Sequence, residues 1–292
     1  MRIGAVFPQM EIGNDPAVIR NWAVAVEDMG YQHALAFDHV LGAGVDTRPD
    51  WGARYSSDTA FHEVFVLFGY LAAVTSTLEL VTGVLVLPQR QTALVAKQAA
   101  EVDVLSGGRM RLGVGVGWND VEYEALGEAF TNRGRRADEQ IEVLRALWAE
   151  PTVTYSGKWH RIDNAGINPA PVRRDIPVWV GGNSEAALRR AGQLGDGWFP
   201  QRAPDEGARD MVERLREFAR AAGRDPGRVG LEARLTIARS ARAGWAEFAA
   251  GWRDLGATHL CVNTIGAGFG SVDEHLAALR DALHQLAPLQ TA

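Results

Sequence analysis

The sequence predicts an α/β protein, a single (β/α)8 barrel of the TIM-barrel type that spans residues 1–292. Three observations support this fold. Short apolar runs recur eight times, helical patterns with one apolar face separate most of them, and the 292 residues slightly exceed the roughly 250 of a plain barrel. Because strands that alternate with helices pair in parallel through right-handed crossovers, eight such units close into a barrel.

The predicted strands are defined by their apolar content and by the turn residues that flank them. They lie at residues 3–7, 34–37, 78–87, 110–116, 178–181, 197–200, 231–238 and 260–263. The helical patterns lie at residues 17–29, 65–75, 94–105, 185–194, 205–222, 245–255 and 272–286. One more helix is indicated between the fourth and fifth strands by the helical spacing of Ala137, Ile141, Leu144 and Trp148.

Two connections are longer than a plain strand–helix unit requires. Residues 40–62 follow the second strand and are rich in Gly, Asp, Arg and aromatic residues, so we expect a lid or wall over the barrel mouth. Residues 151–176 precede the fifth strand, and residues 153–159 alternate around a Ser-Gly turn like a small hairpin. The loops at residues 40–62 and 267–271 are expected to set specificity.

Composition and charge exclude several classes of partner. The formal net charge is -6 and the basic residues are scattered, so neither nucleic acid nor an anionic membrane is an expected partner. No apolar run approaches the roughly 20 residues that span a bilayer, and the N-terminus lacks a signal peptide, so a cytoplasmic enzyme is expected. Cys261, the single cysteine, is expected to be a small buried side chain. No metal site is expected, because no two histidines have ligand spacing.

Glycines interrupt two of the predicted strands. Gly113, Gly115 and Gly117 alternate, so one face of the fourth strand carries no side chains. Either a flat ring lies against that face or neighbouring elements pack tightly there. The dinucleotide-binding pattern does not fit, because Trp118 stands where its third glycine belongs. Gly83 lies inside the third strand and indicates a close packing contact or a bulge, of which we favour the bulge.

The segment after the fifth strand gives the strongest chemical signal. Gly181, Gly182, Asn183 and Ser184 lead from the strand into the helical pattern at residues 185–194. A glycine-rich approach to a helix N-terminus favours phosphate, because free backbone N–H groups and the helix dipole both attract an anion. The alternative is a simple corner in which Asn183 or Ser184 caps the helix. We favour the anion site.

Side chains at other strand ends are candidates for contact with a substrate or a cofactor. Asp38 and His39 directly follow the second strand, where barrel side chains face the active site, although a turn cap and a surface histidine would give the same pattern. Trp118 and Trp198 also lie at strand ends, where their rings could wall a planar ligand.

Three segments carry a family resemblance. Residues 104–118 read Val-Leu-Ser-Gly-Gly-Arg-Met-Arg-Leu-Gly-Val-Gly-Val-Gly-Trp, residues 133–139 read Arg-Gly-Arg-Arg-Ala-Asp-Glu, and residues 177–182 read Pro-Val-Trp-Val-Gly-Gly. Together they resemble the bacterial luciferase-like monooxygenases, and most closely the branch that uses the deazaflavin coenzyme F420. The resemblance runs from residue 3 to about residue 200, and the family fold is a (β/α)8 barrel with insertions.

The resemblance implies a cofactor site at the carboxyl ends of the strands. It places the cofactor phosphate at residues 181–184 and a non-proline cis peptide between Gly83 and Val84, behind the ring. Asp38 and His39 match an Asp-His pair of deazaflavin-dependent dehydrogenases, in which the histidine assists proton movement. The glutamate of sugar-phosphate-oxidising members has no clear counterpart near Trp118. We therefore assign catalysis to His39 and Asp38, and cofactor binding to Phe7, Asp38, Gly83, Val84, Gly115, Gly117, Trp118, Gly181, Gly182, Asn183, Ser184 and Trp198.

The function that the resemblance implies is an F420-dependent oxidoreductase that transfers hydride between the deazaflavin and a small organic substrate. Two alternatives stay open. One is an FMN-dependent monooxygenase supplied with reduced flavin by a reductase, and the other is a non-catalytic flavin-binding protein on the same barrel. Related barrels commonly form dimers, so a homodimer is expected.

Overall fold

The chain folds into a closed parallel barrel. The computed structural model describes residues 1–52 and 55–291; Ala53 and Arg54, within the predicted loop at residues 40–62, and Ala292 lie outside the described residues. The strands are β1 (Arg2–Val6), β2 (His33–Ala36), β3 (Glu79–Thr82), β4 (Leu85–Val86), β5 (Met110–Gly115), β6 (Val153–Ser156), β7 (Arg161–Ala165), β8 (Val178–Gly181), β9 (Gly197–Phe199), β10 (Gly230–Thr236) and β11 (His259–Asn263).

Eight parallel strand positions close the barrel. The strands run around it in the order β3-β2-β1-β11-β10-β9-β8-β5-β4, and β3 also pairs with β5, which completes the circle. Because β3 and β4 are two halves of one interrupted strand, they occupy a single position. The remaining two strands, β6 and β7, form a separate antiparallel hairpin.

Helices connect the strands and cover the outside of the barrel. Asp15, Glu63, Ser184, Asp205 and Ser271 precede five of them, and each side chain accepts a backbone N–H of the first turn. Such caps satisfy donors that a helix cannot pair internally, which fixes where each helix begins. The helices are α1 (Pro16–Asp28), α2 (Val64–Val74), α3 (Thr92–Ser106), α4 (Asp120–Ala125), α5 (Arg133–Ala149), α6 (Glu185–Leu194), α7 (Glu206–Ala221), α8 (Trp245–Asp254) and α9 (Val272–Leu286).

The barrel interior is filled by an apolar layer above a charged one. The apolar layer comprises Val6, Leu35, Val81, Trp179, Phe199 and Cys261. Near the amino ends of the strands, the buried Glu232 carboxylate pairs with His33, at 2.9 Å, and with Arg111. Burial raises the pKa of Glu232, but Arg111 and His33 lower it by more than burial raises it. The net pKa therefore lies far below the ordinary value. This hydrogen-bonded network closes the floor of the barrel.

The structure confirms the predicted barrel and differs from the sequence reading in details. The observed strands and helices match the predicted ones to within about two residues, and α6 and α9 coincide with theirs. The predicted strand 78–87 is interrupted at Gly83 and Val84, as a bulge requires. The hairpin turns at residues 157–160, later than predicted, and α4 was not predicted. Of the described helices, none is long and apolar enough to cross a membrane.

Candidate active site

A cavity of about 600 Å³ opens at the carboxyl ends of the barrel strands. This end carries the active site in such barrels, because side chains from many strands converge there. The lining residues are Phe37, Asp38 and His39 after β2, Gly83, Val84 and Val86 around β4, Gly117 and Trp118 after β5, Arg234 and Thr236 on β10, Asn263, Ile265 and Gly266 at the end of β11, and Met10, Tyr55, Gln201, Ala238 and Arg239 from other segments.

His39 combines a fixed imidazole ring with one free nitrogen. Its Nδ1 lies 3.1 Å from Oε2 of Glu122. The rings of Tyr55, Phe61 and Trp118 pack edge-on against the imidazole, at centroid distances of 5.5, 4.9 and 5.6 Å. Within residues 1–52 and 55–291 no group hydrogen-bonds to Nε2, so this nitrogen is the one available to a ligand in the cavity.

Glu122 sets the protonation pattern of that ring. Its buried carboxylate also accepts the backbone N–H of Val40 and, at 3.2 Å, that of Leu41. Burial raises the pKa of Glu122, but the His39 ring and the two amides outweigh it, and the net pKa lies below the ordinary value. Because an ionised carboxylate only accepts hydrogen bonds, Nδ1 of His39 carries a proton, and Nε2 is the nitrogen that can exchange a proton in the cavity.

Sequence reasoning missed Glu122, although a signal for its helix was present. Asn119 stands three residues before Glu122, a spacing typical of a helix N-terminus. The structure has that helix as α4, and Asn119 Oδ1 accepts the N–H of Glu122 at 3.3 Å. No glutamate was expected to reach the histidine from this part of the chain. Glu122 reaches His39 because α4 passes the end of β2. Hydrophobic periodicity does not predict such a contact between distant segments.

Asp38 lines the cavity but has both carboxylate oxygens engaged. Oδ2 accepts the N–H of Val86 at 3.0 Å, and Oδ1 accepts from Arg90 at 2.7 Å. Arg90 also pairs with Glu63 at 3.0 Å. Burial raises the pKa of Asp38, and the nearby Arg90 only partly offsets it, so the net pKa lies above the ordinary value. The arrangement ties β2 to β4 and supports a positioning role for Asp38, and the predicted catalytic role of this residue stays a prediction.

Gly83 and Val84 form the back wall of the cavity. The peptide bond between them is cis, as the resemblance implies, and both residues line the cavity. Their position is fixed by close packing, because a Cβ on Gly83 would lie 2.2 Å from the Leu35 side chain. The packing contact and the bulge, which the sequence left as alternatives, are therefore both present.

The side-chain-free face of β5 is filled by the neighbouring strand. A Cβ on Gly115 would lie 2.5 Å from a Val84 methyl group, and one on Gly117 would lie 2.6 Å from a methyl group of Val86. The tight-packing alternative therefore accounts for these glycines, and a flat ring against the whole face does not. Gly117 still lines the cavity, whereas Gly115 acts on it through Val84.

Gly181, Gly182, Asn183 and Ser184 form the strand-to-helix corner that the sequence predicts. Gly182 has a φ of 114°, and the Ser184 hydroxyl accepts the N–H of Ala187 at 3.2 Å, which caps α6. Asn183 exchanges two hydrogen bonds of 3.3 Å with the backbone of Gln201, a residue that lines the cavity. The corner therefore adjoins the cavity, and the anion site remains a prediction.

Phe7 and Trp198 lie in the core, in contrast to their predicted place at the cofactor. Both side chains are 0% exposed. The Phe7 ring packs edge-on against Trp22, with 5.0 Å between centroids. The Trp198 indole donates to the Gly182 carbonyl at 2.8 Å, so this ring supports the corner from behind. Neither ring has surface to offer a ligand, because both are enclosed by the core.

One group of possible metal ligands occurs in the described part of the chain, on the floor of the barrel. Donor atoms of His33, Glu232 and Cys261 lie within 4.8 Å of one another. The Arg111 guanidinium donates to Glu232 and supplies the positive charge that this carboxylate needs. Two of the three residues, His33 and Glu232, therefore already belong to an ion-pair network with Arg111.

Comparisons with known proteins place this geometry in a family. The family model described as luciferase-like monooxygenase matches residues 3–288. An uncharacterised Mycobacterium tuberculosis protein is 38% identical over 205 residues, which cover 68% of this chain and 70% of that protein.

Two named proteins are also similar. The FMNH2-dependent dimethylsulfone monooxygenase of Pseudomonas fluorescens is 32% identical over 75% of this chain and 57% of its own length. The solved structure of an F420-dependent secondary alcohol dehydrogenase, in complex with an F420-acetone adduct, shares the fold with a TM-score of 0.78. Its sequence identity is 17%, and the match covers 98% of each chain.

Proposed function

The chain belongs to the luciferase-like monooxygenase family, and we propose that it is a coenzyme F420-dependent oxidoreductase that moves a hydride between the deazaflavin and a small alcohol or carbonyl compound. One observation carries the proposal. His39, held by an ionised Glu122, presents a free Nε2 to a cavity at the carboxyl ends of the strands.

The residues around the cavity fit a deazaflavin or a flavin. Gly83 and Val84 supply an apolar wall for a ring system, and a volume of about 600 Å³ is in the range of cofactor sites. Gly182, Asn183, Ser184 and the first turn of α6 would hold the phosphate, because the N–H groups of a helix N-terminus point at such a ligand. When bound, a deazaflavin supplies the two-electron hydride chemistry that the side chains lack.

His39 supplies the proton chemistry. Oxidation of an alcohol carbon releases the hydroxyl proton, and reduction of a carbonyl requires a proton on oxygen. Nε2 is the atom that takes the proton in one direction and returns it in the other, and the Glu122 carboxylate stabilises the imidazolium. The rings of Tyr55, Phe61 and Trp118 keep water from the imidazole and hold its orientation.

A second candidate is an FMN-dependent monooxygenase. The relative from Pseudomonas fluorescens, named as FMNH2-dependent, favours it. The F420-dependent alcohol dehydrogenase favours the deazaflavin only through its shared fold. The two candidates differ in chemistry, because a reduced flavin reacts with oxygen to oxygenate a substrate and a reduced 5-deazaflavin does not.

Cofactor titration tests the proposal. We expect F420 to bind more tightly than FMN, measured by fluorescence with the same purified protein. Reduced F420 should then be consumed, without oxygen, on addition of members of a panel of ketones and aldehydes. Preferential micromolar binding of FMN, with oxygen consumption on addition of reduced FMN and substrate, would select the monooxygenase. Binding of a cofactor without turnover of any panel member would select the non-catalytic protein.

A further inference from the structure

Arg234 places an unpaired positive charge in the cavity wall. Its side chain projects from β10, is half-buried and lines the cavity. Among residues 1–52 and 55–291, no carboxylate pairs with its guanidinium and no group accepts a hydrogen bond from it. Arg90, in contrast, does not line the cavity and forms ion pairs with both Asp38 and Glu63. Of these two arginines, Arg234 is the one with donors left for a ligand.

Arg234 shares the cavity wall with other polar groups and lies close to the segment that carries His39. The guanidinium carbon lies 5.3 Å from the centroid of Phe37, the residue that precedes Asp38 and His39 in the chain. Asn263 also lines the cavity, and its Oδ1 accepts the N–H of Ile265 at 3.1 Å, which leaves its amide nitrogen as a donor. The Thr236 hydroxyl is a third polar group in the same wall. These groups match an acceptor-rich ligand.

The charges around the cavity do not cancel. Asp38 is neutralised by Arg90, and Glu122 is committed to His39 and two backbone amides. Glu11, beyond the rim, accepts from the N–H of Gly266 and lies 3.4 Å from the His275 ring. Arg239 lines the cavity and adds a second positive charge. An excess of positive charge in a partly enclosed site attracts anions and raises their local concentration.

We propose that the substrate carries a carboxylate, which Arg234 binds while His39 serves the alcohol or carbonyl group of the same molecule. This inference rests on the proposed function, and it narrows the substrate class from small carbonyl compounds to oxo and hydroxy acids. A guanidinium forms two parallel hydrogen bonds with a carboxylate, so it fixes orientation as well as charge. Arg234 is thus a specificity-determining residue.

The test compares acids with their uncharged esters. The probes are pyruvate, 3-hydroxybutyrate and 4-oxopentanoate, each beside its methyl ester, with calorimetric binding to cofactor-free and F420-loaded protein. We expect at least one acid to bind the wild type at least tenfold more tightly than its ester. In Arg234→Met that preference should be lost, whereas Arg20→Met, which alters an exposed arginine of α1, should keep it. Arg234→Lys should recover part of it, because the charge returns without the paired donors.

The outcomes separate this inference from the proposed function. Equal binding of every acid and its ester, or an unchanged preference in Arg234→Met, would overturn the inference. A loss of F420 affinity in Arg234→Met, with acid binding to the cofactor-free protein unchanged, would assign the arginine to the cofactor and also overturn it. If acids bind through Arg234 but neither turnover nor F420 binding is found, the carboxylate site stands and the proposed function fails. With turnover, the variant should raise KM for the acid far more than it lowers kcat.

Discussion

His39 and Glu122 lie 83 positions apart in the sequence and form one acid–base pair in the structure. The sequence alone could identify His39, because residues that directly follow a barrel strand face the cavity. It could not identify Glu122, because the pairing depends on where α4 passes the end of β2. For Asp38, the sequence predicts the position at the cavity, but the bonds to Val86 and Arg90 that hold its carboxylate come from other elements and could not be predicted.

Removal of the His39 imidazole should slow turnover and spare cofactor binding. General acid–base help is typically worth 10²–10⁴-fold, so His39→Ala should lower kcat by about two orders of magnitude or more. Affinity for the cofactor should stay within about tenfold, measured by fluorescence titration beside steady-state rates. Wild-type turnover in the variant would show that another group carries the proton.

Glu122→Gln tests the tautomer argument with a nearly isosteric change. The amide still accepts from the backbone of Val40 and Leu41, but its NH2 group, placed at Nδ1, would make that nitrogen an acceptor and move the proton to Nε2. We expect kcat to fall about ten- to a hundredfold and its pH profile to change shape. Glu124→Gln, an exposed change on the same helix, is the control and should leave both unaltered. Identical pH profiles for Glu122→Gln and wild type would argue against the pairing.

Ser184→Asp tests the phosphate position without removing the cap of α6. Aspartate caps helices as well as serine does, so the fold should persist, while its charge repels a phosphate by about 1–4 kcal/mol, depending on screening. Affinity for F420 should fall, whereas affinity for the phosphate-free deazariboflavin should not. An equal effect on both ligands, or on neither, would place the phosphate elsewhere.

At the scale of elements, hydrophobic periodicity predicted nearly every strand and helix. Fully buried parallel strands read as apolar runs, and covering helices show one apolar face, so both patterns are local. The short helix α4 is not predicted, because its six residues carry too little hydrophobic periodicity. The glycine face of β5 was ambiguous for a different reason. Whether a ligand or Val84 fills the space beside Gly115 depends on the adjacent strand, which the sequence of β5 does not contain.

One side chain joins α1 to the start of β3. The Glu27 carboxylate accepts the N–H groups of Ser76, Thr77 and Leu78, the shortest at 2.6 Å, and also the Thr77 hydroxyl. Burial raises the pKa of Glu27, but these donors outweigh it, and the net pKa lies below the ordinary 4.5. A carboxylate of this kind adds stability above its unfolded pKa and loses it as the pH falls through the folded pKa.

Glu27→Gln should therefore destabilise the protein by about 1–2 kcal/mol at pH 7, the usual value of charge-assisted hydrogen bonds at a partly exposed site. Chemical denaturation at several pH values measures it. The difference from wild type should shrink as the pH falls from 5 towards 3, because the wild-type carboxyl is then protonated as well. A difference that does not vary with pH would mean that the charge contributes nothing.

At the scale of the whole molecule, α2 and α3 expose several large apolar side chains to solvent. Val66 on α2 is 73% exposed, and Leu94 and Leu105 on α3 are 52% and 60% exposed. Leu94 and Leu105 are three helical turns apart, so both lie on one side of α3, with Gln98 and Glu101 between them. Large apolar side chains exposed together on two adjacent helices favour an interaction surface there.

We propose that this patch is the interface of a homodimer, the assembly expected from the sequence. A symmetric interface brings the same residues of both copies together, so one substitution places two charges in it. Val66→Glu combined with Leu105→Glu should weaken association by several kcal/mol, because the interface would bury like charges that water had solvated. Light scattering at micromolar concentration should then give the chain mass of 31.7 kDa for the variant and twice that mass for the wild type. Val45→Glu, which charges an exposed apolar residue in the loop after β2, should leave the dimer intact. A wild-type monomer, or a variant that stays dimeric, would show that the patch serves no such interface.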